Sequence, residues 1–126
     1  MKKAVEELNR GVPTYWKARL LLADASHQGY KGFWAYTQSL SEEEIRFQSE
    51  RKLKKGAAVK LEVFAIHQGQ KHHLLLGGKV LSSVLLACGT LYGIDLEIKQ
   101  MKAEDKAFIQ QYLKDKKNMK LTYTSF

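Results

Sequence analysis

From Trp16 onward the apolar residues of this chain keep returning at every second position, and that alternation persists until the last quarter of the sequence. Trp16, Ala18, Leu20 and Leu22 alternate with Lys17 and Arg19, the pattern of a strand with one face buried and one in water. Residues 33–40 and 44–48 read as two further strands joined by the polar stretch from Ser39 to Glu44. Val59, Leu61 and Val63 alternate with Lys60 and Glu62, a turn falls at 68–71, and the chain returns over 73–86 with a Gly77-Gly78 break. Tyr92, Ile94, Leu96 and Ile98 share a face opposite Asp95 and Glu97. At Met101 the period changes: Phe108, Ile109, Tyr112 and Leu113 form one helical stripe, predicting a helix over 103–115 followed by lysines that suit its C-terminal end. Consecutive two-faced strands with no helix between them exclude a doubly wound α/β sheet. They predict a mainly β fold, a small six-stranded antiparallel barrel with one C-terminal helix over an opening or a face.

A chain of 126 residues makes one domain. Residues 4–10 could form a short helix, which Gly11 and Pro13 end, so the sequence divides into an N-terminal arm at 1–12, the barrel and helix at 13–117, and a tail at 118–126. The expected core is Leu20, Leu22, Ile45, Phe47, Leu61, Val63, Val80, Ile94, Leu96, Phe108, Ile109 and Leu113. In the tail, Leu121, Tyr123 and Phe126 are apolar, so this segment is expected either to fold back as an extra strand or to meet a partner by strand addition. No apolar run approaches the roughly 18 residues of a membrane span, and a single cysteine fits a reducing compartment. A cytoplasmic location without membrane insertion is the expectation.

Enzymatic chemistry finds no foothold. Cys88 sits in the apolar run Val84-Leu-Leu-Ala-Cys-Gly and is expected to be a packed thiol. His67, His72 and His73 flank a hairpin tip, but adjacent His72 and His73 must point to opposite faces of a strand, so a solvated hairpin is expected and no metal site. Glu42, Glu43 and Glu44 form an acidic joint without a partner acid or base. Gly77-Gly-Lys-Val80 lacks the upstream glycine and the hydroxyl of a phosphate loop.

Twenty-one basic residues against 13 acidic ones give a net charge of +8, which raises the question of acidic partners. Only four of those cations are arginine, the planar fork that base reading and phosphate capture favour, so most of the charge reads as a solvated surface. Tyr15, Trp34, Tyr36 and Tyr92 could stack on bases if exposed, yet at strand spacing such rings are more often core or barrel rim, and no nucleic-acid-binding signature accompanies them. A basic barrel for single-stranded nucleic acid is retained as an alternative, with nucleic acid not the expected partner.

Four stretches, in order, resemble the PilZ family of bacterial regulatory domains. Leu40-Ser-Glu-Glu-Glu-Ile-Arg-Phe47 is similar to the family's segment around its Asp/Asn-x-Ser-x-x-Gly motif, and Leu53-Lys-Lys-Gly-Ala-Ala-Val-Lys-Leu61 to the L-x-x-G-x-x-V-x-L stretch after it. Gly78-Lys-Val80 is similar to the family's G-x-V strand, and Tyr92-Gly-Ile-Asp-Leu96 to its G-V-x-F strand before the terminal helix. The resemblance implies the same six-stranded barrel and helix. It also implies a site for cyclic di-GMP, which members bind with an Arg-x-x-x-Arg arm and the Asp/Asn-x-Ser-x-x-Gly motif. Here Ser39 stands in the acid's place, Ser41 on the serine and Glu44 on the glycine, while Arg10 has no arginine four residues away. Losing two charge-assisted contacts of about 1.5–3 kcal/mol each weakens binding by roughly a hundred- to ten-thousandfold. Asp24-Ala-Ser-His-Gln-Gly29 satisfies the motif literally, but without an arm upstream it reads as a hairpin turn.

The resemblance therefore implies a degenerate, non-enzymatic adaptor of bacterial motility or cyclic di-GMP-related signalling, of a type IV pilus or flagellar system, with no cofactor and with cyclic di-GMP possible but disfavoured. Residual nucleotide contacts would come from Arg10, Ser39 and Ser41. A protein partner, or a second copy of the chain, would meet Phe33, Trp34 and Tyr36 or the tail residues Leu121, Tyr123 and Phe126. A true cyclic di-GMP receptor with a relocated site is the other alternative.

Overall fold

A computed structural model describes residues 11–24 and 29–124 of the chain. The strands are β1 (Val12–Pro13), β2 (Lys17–Asp24), β3 (Gly29–Leu40), β4 (Glu44–Ser49), β5 (Ala58–His67), β6 (Gln70–Leu85) and β7 (Tyr92–Gln100), and the helix α1 is Ala103–Thr124. All pairings are antiparallel, in the order β1-β3-β2-β5-β6-β7-β4, and β4 pairs back onto β3, so six strands close a ring. The two residues of β1 carry on the line of β2 along β3, pairing Val12 with Leu40 and Pro13 with Ser39. Closure leaves the ring without the exposed strand edges that invite aggregation.

Register turns the alternating residues into layers. Leu20 faces Leu61, which faces Leu76; Ile45 faces Leu96, which faces Val80; all six are buried. Phe47 and Ile94 oppose each other in a further buried pair. Each such side chain contributes about 1.5–3 kcal/mol relative to an exposed one. The Gly77-Gly78 break is a bulge in the β6–β7 pairing, and a Cβ on Gly78 would lie 2.2 Å from the Glu97 carbonyl oxygen, so only glycine fits there. The β5–β6 hairpin turns through Gln68 and Gly69, both at positive φ.

Helix α1 lays Ile109 and Tyr112 into the core, with Phe108 and Leu113 partly buried beside them. The Tyr112 hydroxyl donates to the Pro13 carbonyl at 3.3 Å, and burial raises its pKa. Trp16 packs edge-on to Tyr112 at 4.8 Å and donates its indole N–H to the Ile66 carbonyl at 3.1 Å.

Several expectations need correction. The helix does not stop at residue 115 but runs to Thr124, so Leu121 and Tyr123 lie on helical backbone and the tail is not an extra strand. The hydrophobic periodicity ends near Leu113, but the lysine-rich stretch after it has good helix formers and no proline or glycine to stop it. Phe126, Arg10 and the short helix expected over 4–10 lie outside the described residues. Leu22 is only partly buried, because β2 pairs with β5 no further than Leu21 and the β2–β3 hairpin projects past the ring. Cys88 is exposed, not packed: β6 outruns the barrel, leaving Val84 and Leu85 exposed with it, and the thiol pKa is lowered by hydrogen bonding from the Thr90 backbone.

Candidate functional site

The residues aligned with the nucleotide motif lie at one rim of the barrel, where β1 runs beside the β3–β4 turn. Ser39 pairs with Pro13 on one side and Arg46 on the other, and Val12, the last residue of the expected arm, pairs with the adjoining Leu40. Of the motif positions, the Ser41 side chain is committed elsewhere. Ser41 accepts the Glu44 amide N–H on its hydroxyl at 3.1 Å and donates its own amide to the Glu44 carbonyl at 2.8 Å, closing the turn on itself. Arg46 grips Asp95 with two guanidinium nitrogens, one at 3.1 Å, and that hydrogen bonding raises its pKa. Asp95 also accepts from the Ser82 hydroxyl at 3.0 Å. Among the described residues the hollow between Ser39, Glu44, Ile45, Arg46 and Asp95 holds about 60 Å³. Sites for small ligands run to about 300–1,000 Å³.

The expected aromatic residues are placed on two different sides of β3. Phe33 points inward, partly buried against the core, and so does not belong to the exposed cluster assigned to it; Leu20 opposite and the Arg51 guanidinium 4.8 Å over its ring cover it. Trp34 and Tyr36 point outward, 56% and 57% exposed, and Tyr15 is 86% exposed. These rings are therefore not core, one of the two placements that strand spacing favoured, and Trp34 and Tyr36 are exposed as a partner-facing position requires; Tyr92 alone of that group is half-buried. Phe64 and Ile66 on β5 join them on the outside, which the sequence analysis did not anticipate. The signal was present: both fall in the wrong phase relative to Val59, Leu61 and Val63.

The histidines also depart from a simple solvated hairpin. His72 and His73 do face opposite ways, as adjacent strand residues must. His72 stacks on Phe108 of α1 at 4.3 Å and approaches the buried Asp105 carboxylate at 3.6 Å, while His67 bonds Asp115 at 2.8 Å. His73 points outward to Glu62 at 2.8 Å. The helix that covers this end of the barrel draws two of the three rings under it. No group of three metal-ligating side chains occurs among the described residues.

Solved structures share this architecture. A motility inhibitor of Bacillus subtilis, MotI/DgrA, matches with a TM-score of 0.69 at 11% identity, over 86% of this chain and 49% of its own. The PilZ domain with c-di-GMP of YcgR from Escherichia coli matches at 0.57 and 12% identity over 88% of both chains. MrkH of K. pneumonia matches at 0.58 and 13% identity over 84% of this chain and 46% of its own. The fold is that of a PilZ domain. This chain spans about half the length of MotI/DgrA and of MrkH. No protein-family model and no curated protein matches the sequence. Within the PilZ fold the four landmark stretches fall on the β3–β4 turn, the entry to β5, the middle of β6 and the start of β7. No described helix is long and apolar enough to cross a membrane.

Proposed function

We propose that this chain is a non-enzymatic PilZ-type regulatory module that acts on a protein partner in motility or cyclic di-GMP-related signalling, with weak or no nucleotide binding. The observation that supports the reading is the occupied rim: Ser41 is spent on its own turn, Arg46 on Asp95, and among the described residues the hollow beside them is about 60 Å³, while the roomier one of about 360 Å³ on the same turn is lined by the carboxylates Glu42 and Glu43. Glu42, Glu43 and Glu44 add negative charge where a dianion would have to sit. That MotI/DgrA is named an inhibitor of motility supports a regulatory role. The YcgR domain that holds c-di-GMP shares the fold but only 12% of the residues, so its ligand does not transfer with it.

Titration calorimetry with cyclic di-GMP tests this. The expected outcome is no saturable heat at about 100 µM ligand, a binding free energy weaker than about −5.5 kcal/mol. A submicromolar dissociation constant would overturn it and restore a receptor with a relocated site.

A further inference from the structure

The closed ring brings three rows of outward residues into one surface. Tyr36 lies beside Lys17, which lies beside Phe64, which lies beside His73; Trp34 neighbours Arg19 and then Glu62; Leu21 neighbours Lys60. Tyr15 and Ile66, 86% and 54% exposed, extend the surface at one end, and a groove of about 600 Å³ runs between Tyr15, Tyr36, Phe64 and Ile66 with Lys17 and Lys71 at its borders. From this face we infer a docking surface for an acidic protein segment that carries an apolar anchor side chain, an inference that rests on the adaptor reading and names its partner's chemistry.

Charge decides the sign of that partner. Among the described residues, Lys17, Arg19, Lys60 and Lys71 stand on the face against Glu62, which Arg19 and His73 already hold at 2.8 Å each, and Glu50, which lies at the β4 edge beside Trp34. Lys17 rests over the Trp34 ring at 4.0 Å and Lys60 over the Tyr30 ring at 4.8 Å, so both ammonium groups lie on apolar surface, with no carboxylate paired to them among the described residues. An incoming Asp or Glu supplies the missing counter-charge as its neighbouring apolar residue fills the groove. Strand addition is not available here: over residues 17–21, β2 is paired on both sides, by β3 and by β5. Recognition must come from side chains.

A single nucleic-acid strand fits less well. Successive bases need a track of adjoining rings beside free cations, whereas Lys17 separates Tyr36 from Phe64, Ile66 lines the groove, and the guanidinium of Arg19 is committed to Glu62 in the middle of the face.

The test is selection of random dodecapeptides displayed on phage against the full chain, followed by amide NMR mapping of the synthesised binders and fluorescence anisotropy with Lys17→Glu, Lys71→Glu and Trp34→Ser, each checked for an unchanged melting curve. The expected result is peptides with an excess of Asp and Glu around an apolar residue, shifts centred on Tyr36, Phe64 and Ile66, and about tenfold or greater weakening in each variant that stays folded. Two charge reversals are included so that loss of one to misfolding leaves the other. Failure to select any peptide, selection of peptides without net negative charge, shifts that map elsewhere, or tighter binding of twelve-residue oligothymidylate to the same face would each overturn the inference. Tight cyclic di-GMP binding would overturn the adaptor reading instead, in a separate measurement that does not involve this face.

Discussion

Aromatic rings, histidines and charges occur at two places on this barrel and are treated in opposite ways. Under helix α1 the described groups that turn inward have partners: Asp105 accepts the Leu75 amide N–H at 3.1 Å with His72 beside it, His72 stacks on Phe108, and Asp115 takes both His67 and the Gln111 side-chain amide. On the outward face of β2, β3 and β5 the rings of Tyr15, Trp34 and Tyr36 face water. Burying polar groups without partners is costly, so the first arrangement is a condition of folding. Large rings left uncovered by the described residues add little to the fold, and the docking surface proposed above gives them a use.

The sharpest way to break this contrast is to cut into the covered side. Ile109→Ala should cost about 2–5 kcal/mol in denaturant unfolding, since Ile109 is 1% exposed between the helix and the barrel; a cost near zero would mean that the helix does not seal the core. Asp105→Ala leaves the Leu75 amide unpaired and should cost about 1–3 kcal/mol by the same measurement. An unaltered stability there would make the covered side no more demanding than the exposed one.

Acid sharpens the comparison further. The hydrogen bond from His67, with a second from Gln111, holds the Asp115 carboxyl below its ordinary value. A depressed folded pKa stabilises the fold above the unfolded carboxylate value of about 3.9, and the contribution is lost as pH falls through the lower folded value. The melting-temperature advantage of the native protein over His67→Ala should therefore be present at pH 5 and shrink below about pH 4. An advantage that grows toward pH 2 would contradict the pairing. The smallest effect belongs to the open face, where Trp34→Ser should change stability by less than about 0.5 kcal/mol. A larger loss would show that Trp34 supports the fold, and the contrast between the two regions would disappear.

Much of the barrel was legible because its signal is local. Leu20, Leu61, Val63, Val80, Ile94 and Leu96 are buried as the alternation requires, and Ile109 is buried as the helical stripe requires. What was misread depends on where a strand stops mattering to the ring. Leu22 and Cys88 sit in runs that look like core but project beyond it, and no local pattern reports that β2 leaves β5 after Leu21. The partners of His67 and His72 lie on a helix more than thirty residues away, so their burial could not be read from the hairpin. At the rim, the substitutions at Ser39, Ser41 and Glu44 were visible, but the capture of Ser41 by its own turn is a matter of geometry. For Phe33 and Trp34, side by side in sequence, only the phase of β3 separates the ring that faces in from the one that faces out.

We propose above that the motif rim binds the nucleotide weakly or not at all, and amide NMR of the full chain titrated with cyclic di-GMP tests this residue by residue. The account predicts that the amides of Ser39, Ser41 and Arg46 show no saturable shift up to about 100 µM ligand, a binding free energy weaker than about −5.5 kcal/mol; saturating shifts at those three residues at micromolar ligand would contradict it.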